Sequence, residues 1–225
     1  MIQLDIEKMS KRPLINLIWY WFIKRTLQLL WVIVYGIRTS GTHNIPAEGG
    51  VLLVSNHQSH LDPPMIGCCF TRHTNQMAKK SLFKFAPFGW YIRSIGAFPV
   101  DREGSPLGGI KEAMRLLKQG EVVLMFPEGS RCFDGKIGEF MNGFTMIAVR
   151  TKAAILPMAV EGPFKSWPPT QKFPSRKSRL HVLYGEPIMP EELQQYSGEE
   201  LAIEVKRRIQ QCHQQLLQHP DFARP

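Results

Sequence analysis

Apolar positions fall along this chain in two patterns. Short unbroken runs, VLLVS (51–55), EVVLMF (121–126) and AILPMAV (154–160), are bounded by turn signals. Such runs predict strands buried on both faces of a sheet. Between them lie stretches with apolar residues at helical spacing, over 62–70, 81–94, 106–118 and 143–151. Further strand signals are TNQMAKK (74–80), the edge-like GAFPV (96–100) and RLHVLYG (179–185), and Gly36 to Pro46 reads as a short connecting strand and loop. A Pro- and Lys-rich loop covers 161–178. At the end, Ser197 and Glu200 form a capping box, after which Leu201, Val205, Ile209, Cys212 and Leu216 line one helix face. Strands alternating with helices predict an α/β domain with a mainly parallel central sheet flanked by helices. In such sheets ligands bind beyond the carboxyl ends of the strands.

The N-terminus departs from this alternation. Residues 14–35, LINLIWYWFIKRTLQLLWVIVY, are apolar apart from a few residues, and Lys24-Arg25 divide them into two pieces of ten. Neither piece reaches the roughly 20 apolar residues that span a bilayer. No A-x-A-like site follows to suggest a cleaved leader. On a helical wheel Lys24, Arg25 and Gln28 share one side, and Trp19, Tyr20, Trp21, Trp31 and Tyr35 crowd the segment. This predicts an amphipathic helix, in one piece or two, lying in one leaflet of a membrane. A buried core helix is the alternative. The chain therefore divides into a membrane-associated segment, 1–38, and an α/β domain, 39–225.

Composition narrows the partners. Of 225 residues, 44% are hydrophobic, enough for a sizeable core, and 28 Lys and Arg against 19 acids give a net charge of +9. That excess suits a phosphate-rich partner, whether an anionic membrane, a phosphorylated substrate or nucleic acid. The basic residues are scattered and the aromatics sit among apolar residues, which argues against a nucleic-acid groove. Cys68, Cys69, Cys132 and Cys212 form no C-x-x-C. They read as buried thiols of a reducing compartment, with neither a disulfide framework nor a metal site.

Chemistry-bearing residues concentrate behind the strands. In NHQSHLD (56–62), His57 leaves a strand end and Asp62 stands at the next helix start with Pro63-Pro64. A carboxylate looping back onto an imidazole would fix its tautomer and leave the other nitrogen free to take a proton from a hydroxyl. The same spacing also suits a helix N-cap aspartate beside an ordinary loop histidine. His60 reads as a turn or solvated residue, and Ser59 as a partner of the local backbone. FPEGSR (126–131) brings Glu128, Gly129, Ser130 and Arg131 together, as in a phosphate cradle or a charged surface turn. Arg102 in GAFPVDR is a candidate anion clamp, with Asp101 holding it, and Lys79-Lys80 ends another strand. AILPMAV holds no titratable group and reads as core, or else as an apolar wall.

NHQSHLD, GAFPVDR, FPEGSR and ILPMAV, in that order, resemble the four motifs of the 1-acyl-sn-glycerol-3-phosphate acyltransferase (lysophosphatidic acid acyltransferase) family. The resemblance covers about residues 40–190. Ser130 stands where the family often has Thr, which keeps the hydroxyl. The resemblance implies an enzyme without cofactor or metal that moves an acyl group from acyl-CoA or acyl carrier protein to the sn-2 hydroxyl of lysophosphatidic acid. Another lysophospholipid or hydroxylated lipid is the alternative acceptor, and a non-enzymatic membrane tether an alternative role. It further implies His57 and Asp62 as the base pair. Arg102, Glu128, Gly129 and Arg131 would bind the acceptor, joined by Lys79 and Ser130. The protein is then expected at the cytoplasmic membrane, peripheral or monotopic, with its active site on the cytoplasmic side.

Overall fold

The computed structural model describes residues 14–101 and 104–219. Helix α1 (Leu14–Tyr35) leads into β1 (Arg38–Ser40), β2 (Val51–Ser55), α2 (Asp62–Cys69), β3 (Thr74–Lys79), α3 (Ala86–Ser94) and β4 (Ala97–Val100). Then come α4 (Leu107–Lys118), β5 (Val122–Met125), α5 (Gly143–Thr151), β6 (Ala154–Glu161), α6 (Pro163–Ser166), β7 (His181–Tyr184) and α7 (Gly198–Gln218). The strands form one sheet in the order β1-β7-β6-β2-β5-β3-β4, parallel throughout except where β7 runs against β6.

The apolar runs behave as their pattern predicts. Every residue of β2 and β6 is buried, because helices cover both faces of the sheet. Leu52, Val54, Val123 and Ile155 face a core built with α4, α5 and α7. Their neighbours Val51, Leu53, Val122, Leu124 and Leu156 face a second core with α1 and α2. β6 is therefore core, and it runs one residue further than its apolar pattern, to a buried Glu161. The capping box at Ser197 and Glu200 is formed in full. Within the segment read as a loop, residues 163–166 make one short helix.

Two local expectations are corrected. Asp62 is the first residue of α2 and not its cap; Leu61 holds the cap position, without a side-chain bond to the helix. The Asp62 carboxylate turns back onto the preceding loop instead. Second, α1 is one unbroken helix that turns Lys24 and Gln28 of its polar side inward, while Arg25 stays exposed. Lys24 is buried, donating to the carbonyls of Phe70 at 2.5 Å and Arg72 at 3.3 Å, and Gln28 donates to Cys68 O at 2.5 Å. The Cys68 and Phe70 carbonyls lie at the C-terminal end of α2, where helix carbonyls lack intrahelical donors, and Arg72 is in the loop just beyond. Ile18, Phe22, Leu29, Val32 and Ile33 of α1 are exposed. Among the described residues no helix is long and apolar enough to cross a membrane.

Burial pulls the Lys24 ammonium down to about 8 from 10.5. Between those values the unfolded chain binds the extra proton, so this group's contribution to stability rises with pH. Relative to a Lys24→Met variant, the native protein should therefore gain stability between pH 7.5 and 10, by up to about 3 kcal/mol, measured as paired denaturant melts. A constant difference across that range would mean that the ammonium is not desolvated. Burial has the opposite effect on the thiols of Cys68 and Cys69, pushing them up to about 11 and about 12, so neither is a nucleophile at neutral pH.

Candidate active site

β2 occupies the middle of the sheet, between β5 and β6, and the loops leaving β2 and β5 meet beyond their carboxyl ends. The β2 loop carries Asn56 to Leu61. His57 Nδ1 lies 2.8 Å from Asp62 Oδ2, and the carboxylate is fully buried. The same oxygen accepts the backbone N–H groups of Gln58 and Ser59, each at 2.7 Å. One carboxylate oxygen thus shapes the loop and accepts a hydrogen bond from Nδ1–H of the imidazole, leaving Nε2 as the ring's acceptor. The imidazole is stacked on Phe126, with centroids 3.9 Å apart and planes 16° from parallel. Pairing and stacking together fix the ring's position.

The β5 loop locks onto this one through Glu128. Its Oε1 accepts from His57 N at 2.8 Å and its Oε2 from Gly138 N at 2.9 Å, while His57 O accepts from Cys132 N at 2.9 Å. Burial pushes the Glu128 carboxyl above its ordinary range, against the pull of the two amides. Gly129 closes the turn with φ of +69° and an N–H bond to Phe126 O at 3.1 Å; a Cβ there would come within 2.5 Å of Met141. Only glycine fits that backbone without strain.

Ser130 is exposed on the turn. Arg131 donates through Nη1 to His60 Nε2, and the His60 ring lies 5.0 Å from that of Trp167. Burial, then the adjacent guanidinium, hold His60 below the usual imidazole range, which keeps it neutral and able to accept. His60 is thus a turn residue that also orients Arg131. Ser59 meets the backbone as expected, receiving Leu61 N at 3.1 Å and donating to Trp167 O at 2.6 Å. Lys79 is exposed at the end of β3, and Lys80 pairs with Asp101 at 3.1 Å. Arg102 lies outside the described residues.

Behind Phe126, on which the imidazole stacks, opens a cavity of about 530 Å³. Met77, Val100, Ile110, Met125, Phe144 and Ile147 supply apolar walls, and Phe126, Glu128 and Gly129 form the side nearest the loops. Phe126 therefore bounds the cavity and also supports His57. β6 contributes nothing to this lining.

Sequence reasoning missed Asn56 and Gln58. Asn56 donates to Val160 O at 3.1 Å and accepts from Val160 N at 2.9 Å, tying the loop to β6. A buried Asn and Gln flanking a histidine carry no periodic signal, because their partners are about a hundred residues away.

A parallel α/β sheet with a histidine–carboxylate pair at its crest and an apolar cavity alongside has the layout of an acyl-transfer enzyme, and residues 36–161 match the family model described as Acyltransferase. The 1-acyl-sn-glycerol-3-phosphate acyltransferase of Bacillus subtilis is 31% identical over 170 residues, 75% of this chain and 82% of that protein. The enzyme of the same name from Streptococcus pneumoniae is 33% identical over 193 residues, 84% of this chain and 69% of its own. The crystal structure of the 1-acyl-sn-glycerophosphate (LPA) acyltransferase PlsC from Thermotoga maritima superposes with a TM-score of 0.78 at 27% identity, covering 89% of this chain and 80% of that one. The chain belongs to the 1-acyl-sn-glycerol-3-phosphate acyltransferase family and is an O-acyltransferase.

Proposed function

We propose that this protein transfers a fatty acyl group from an acyl thioester, acyl-CoA or acyl carrier protein, to the sn-2 hydroxyl of lysophosphatidic acid, giving phosphatidic acid. The observation that carries this reading is the 2.8 Å contact between His57 Nδ1 and Asp62 Oδ2, separated from an apolar cavity by the Phe126 ring on which the imidazole stacks. His57 Nε2 takes the hydroxyl proton as the acceptor oxygen attacks the thioester carbonyl. Asp62 stabilises the imidazolium that forms. The tetrahedral intermediate collapses with cleavage of the C–S bond, and the imidazolium returns its proton to the departing thiolate. No acyl-enzyme forms, since Ser130 lies outside a nucleophile elbow and desolvation keeps the Cys68, Cys69 and Cys132 thiols protonated.

Arg131, Arg102 and Lys79 are the cations assigned to the acceptor phosphate, with Gly129 and Ser130 shaping the turn beside them. Glu128 serves acceptor binding at one remove, through the backbone that it holds. The acyl chain is assigned to the cavity beyond Phe126, whose Met-rich lining suits a flexible hydrocarbon. Residues 1–38 are assigned to the membrane, and 39–225 to the chemistry. In support, the outward side chains of α1 adjoin a second exposed group, Leu82, Phe85, Phe88 and Trp90, through the Trp19–Trp90 contact at 6.0 Å. An apolar face of that extent beside basic residues fits an anionic leaflet. We place the protein there as a peripheral or monotopic enzyme of the cytoplasmic membrane, its site on the cytoplasmic side.

The test is turnover of lysophosphatidic acid by the purified protein with a mixed pool of acyl-CoA and acyl carrier protein thioesters, the products identified by mass spectrometry. Phosphatidic acid is the expected product; acylation of phosphate-free acceptors at an equal rate would overturn the acceptor assignment. Arg131→Ala should raise KM for the acceptor about 10- to 100-fold, the worth of one charge-assisted hydrogen bond, with a smaller change in kcat.

A further inference from the structure

Outside the four motifs, an ionisable pair of one buried and one half-buried side chain stands directly behind the catalytic loop. Glu161 ends β6 and is 6% exposed, and His213 of α7 places Nε2 at 2.8 Å from Glu161 Oε2. A carboxylate only accepts, so His213 donates. The side-chain amide of Gln58, itself buried, lies against this pair. The Gln58 amide nitrogen lies 3.4 Å from Gly135 O and 3.5 Å from His213 Nε2. Gln58 directly follows His57 and gives its backbone N–H to Asp62, while Asn56, directly before it, is paired with Val160. Of the two neighbours of the imidazole, Asn56 is thus fastened to β6 directly, and Gln58 lies against the histidine that pairs with the last residue of that strand.

Burial alone would push the Glu161 carboxyl up. The bond and charge from His213, followed by the Gln58 and Gly162 donors, bring it below its ordinary range. The carboxylate is therefore ionised in the core and depends on its donors. A buried carboxylate that loses one donor either takes up a proton or draws its remaining donors closer. The carboxamide of Gln58, 3.5 Å from His213 Nε2 and one residue from the imidazole, is a donor placed to respond.

We infer that His213 is a positioning residue for acyl transfer, since its bond to Glu161 holds Gln58 where the loop presents His57 to Asp62. The C-terminal helix, which carries no family motif, then takes part in the geometry of the site. This inference rests on the reading of His57 as the base.

His213→Ala should lower kcat about tenfold, within the range of coupling through one hydrogen-bond network, with KM for both substrates changed less than about twofold. His213→Gln, which keeps an N–H donor, should recover most of the loss. Glu161→Gln removes the charge that needs the donor, so Glu161→Gln/His213→Ala should be more active than the product of the single effects. That double variant also serves where His213→Ala alone does not fold. NMR of the His57 imidazole supplies a readout independent of turnover: its signals should move in His213→Ala. If His57→Ala remains active, the base assignment falls, while the imidazole shift still reports the coupling. Unmoved signals, an unchanged kcat, a loss expressed in KM, or purely multiplicative effects of the two substitutions would each overturn the inference.

Discussion

His57→Ala is expected to lower kcat by roughly three orders of magnitude, the scale of a positioned general base, with little effect on thermal stability. The ring contributes one bond to Asp62 and a stack on Phe126, so its removal leaves the core intact. Asp62 behaves differently, because its Oδ2 holds the loop as well as the imidazole. In Asp62→Asn the amide oxygen can still take these three donors, but the charge is gone. The new NH2 group occupies the place of Oδ1, which is buried and receives no hydrogen bond from the protein. An unpaired buried donor costs about 1–3 kcal/mol, so this variant should lose both activity, at least about a hundredfold, and melting temperature. Steady-state kinetics beside thermal melts separate the two. Near-normal turnover in His57→Ala would remove the imidazole from the chemistry.

Glu128→Ala is the second large effect, and its signature is distinct. Both Glu128 oxygens are committed to backbone amides, one of them that of His57. Truncation leaves two N–H groups without acceptors, at about 1–3 kcal/mol each, and frees the β5 loop from the β2 loop. kcat should fall at least about a hundredfold, as the imidazole loses its fixed backbone. Acceptor KM should change less than in Arg131→Ala. Glu128→Gln, which keeps one acceptor, should fall between. A variant with raised acceptor KM and intact kcat would show direct contact with the headgroup in place of a strut between loops.

The strands were the most legible part of the chain, because β2, β5 and β6 are buried on both faces and their apolar runs are unbroken. His57 and Asp62 were visible for a local reason: four residues lie between them, and the contact closes within one loop. Glu128 was visible as a residue of interest, but its partners were not, since they are backbone amides brought together by a crossover. Glu161 and His213, 52 positions apart, gave no signal at all. α1 misled in an instructive way. Lys24 and Gln28 on one side resemble a wet face, yet the end of α2 supplies carbonyls that only donors can satisfy. Polarity marked the docked side there, and the greasy side was left outward.

That docking makes α1 and α2 one strut. α2 starts at Asp62 and finishes where Lys24 grips Phe70, eight residues or about 12 Å of helix. If the outer flank of α1 is the part that meets the membrane, as proposed, the separation between that flank and the Asp62 end of α2 is set by this length and not by a swinging tether. An insertion of one helical turn into α2 would change that height without altering a single motif residue.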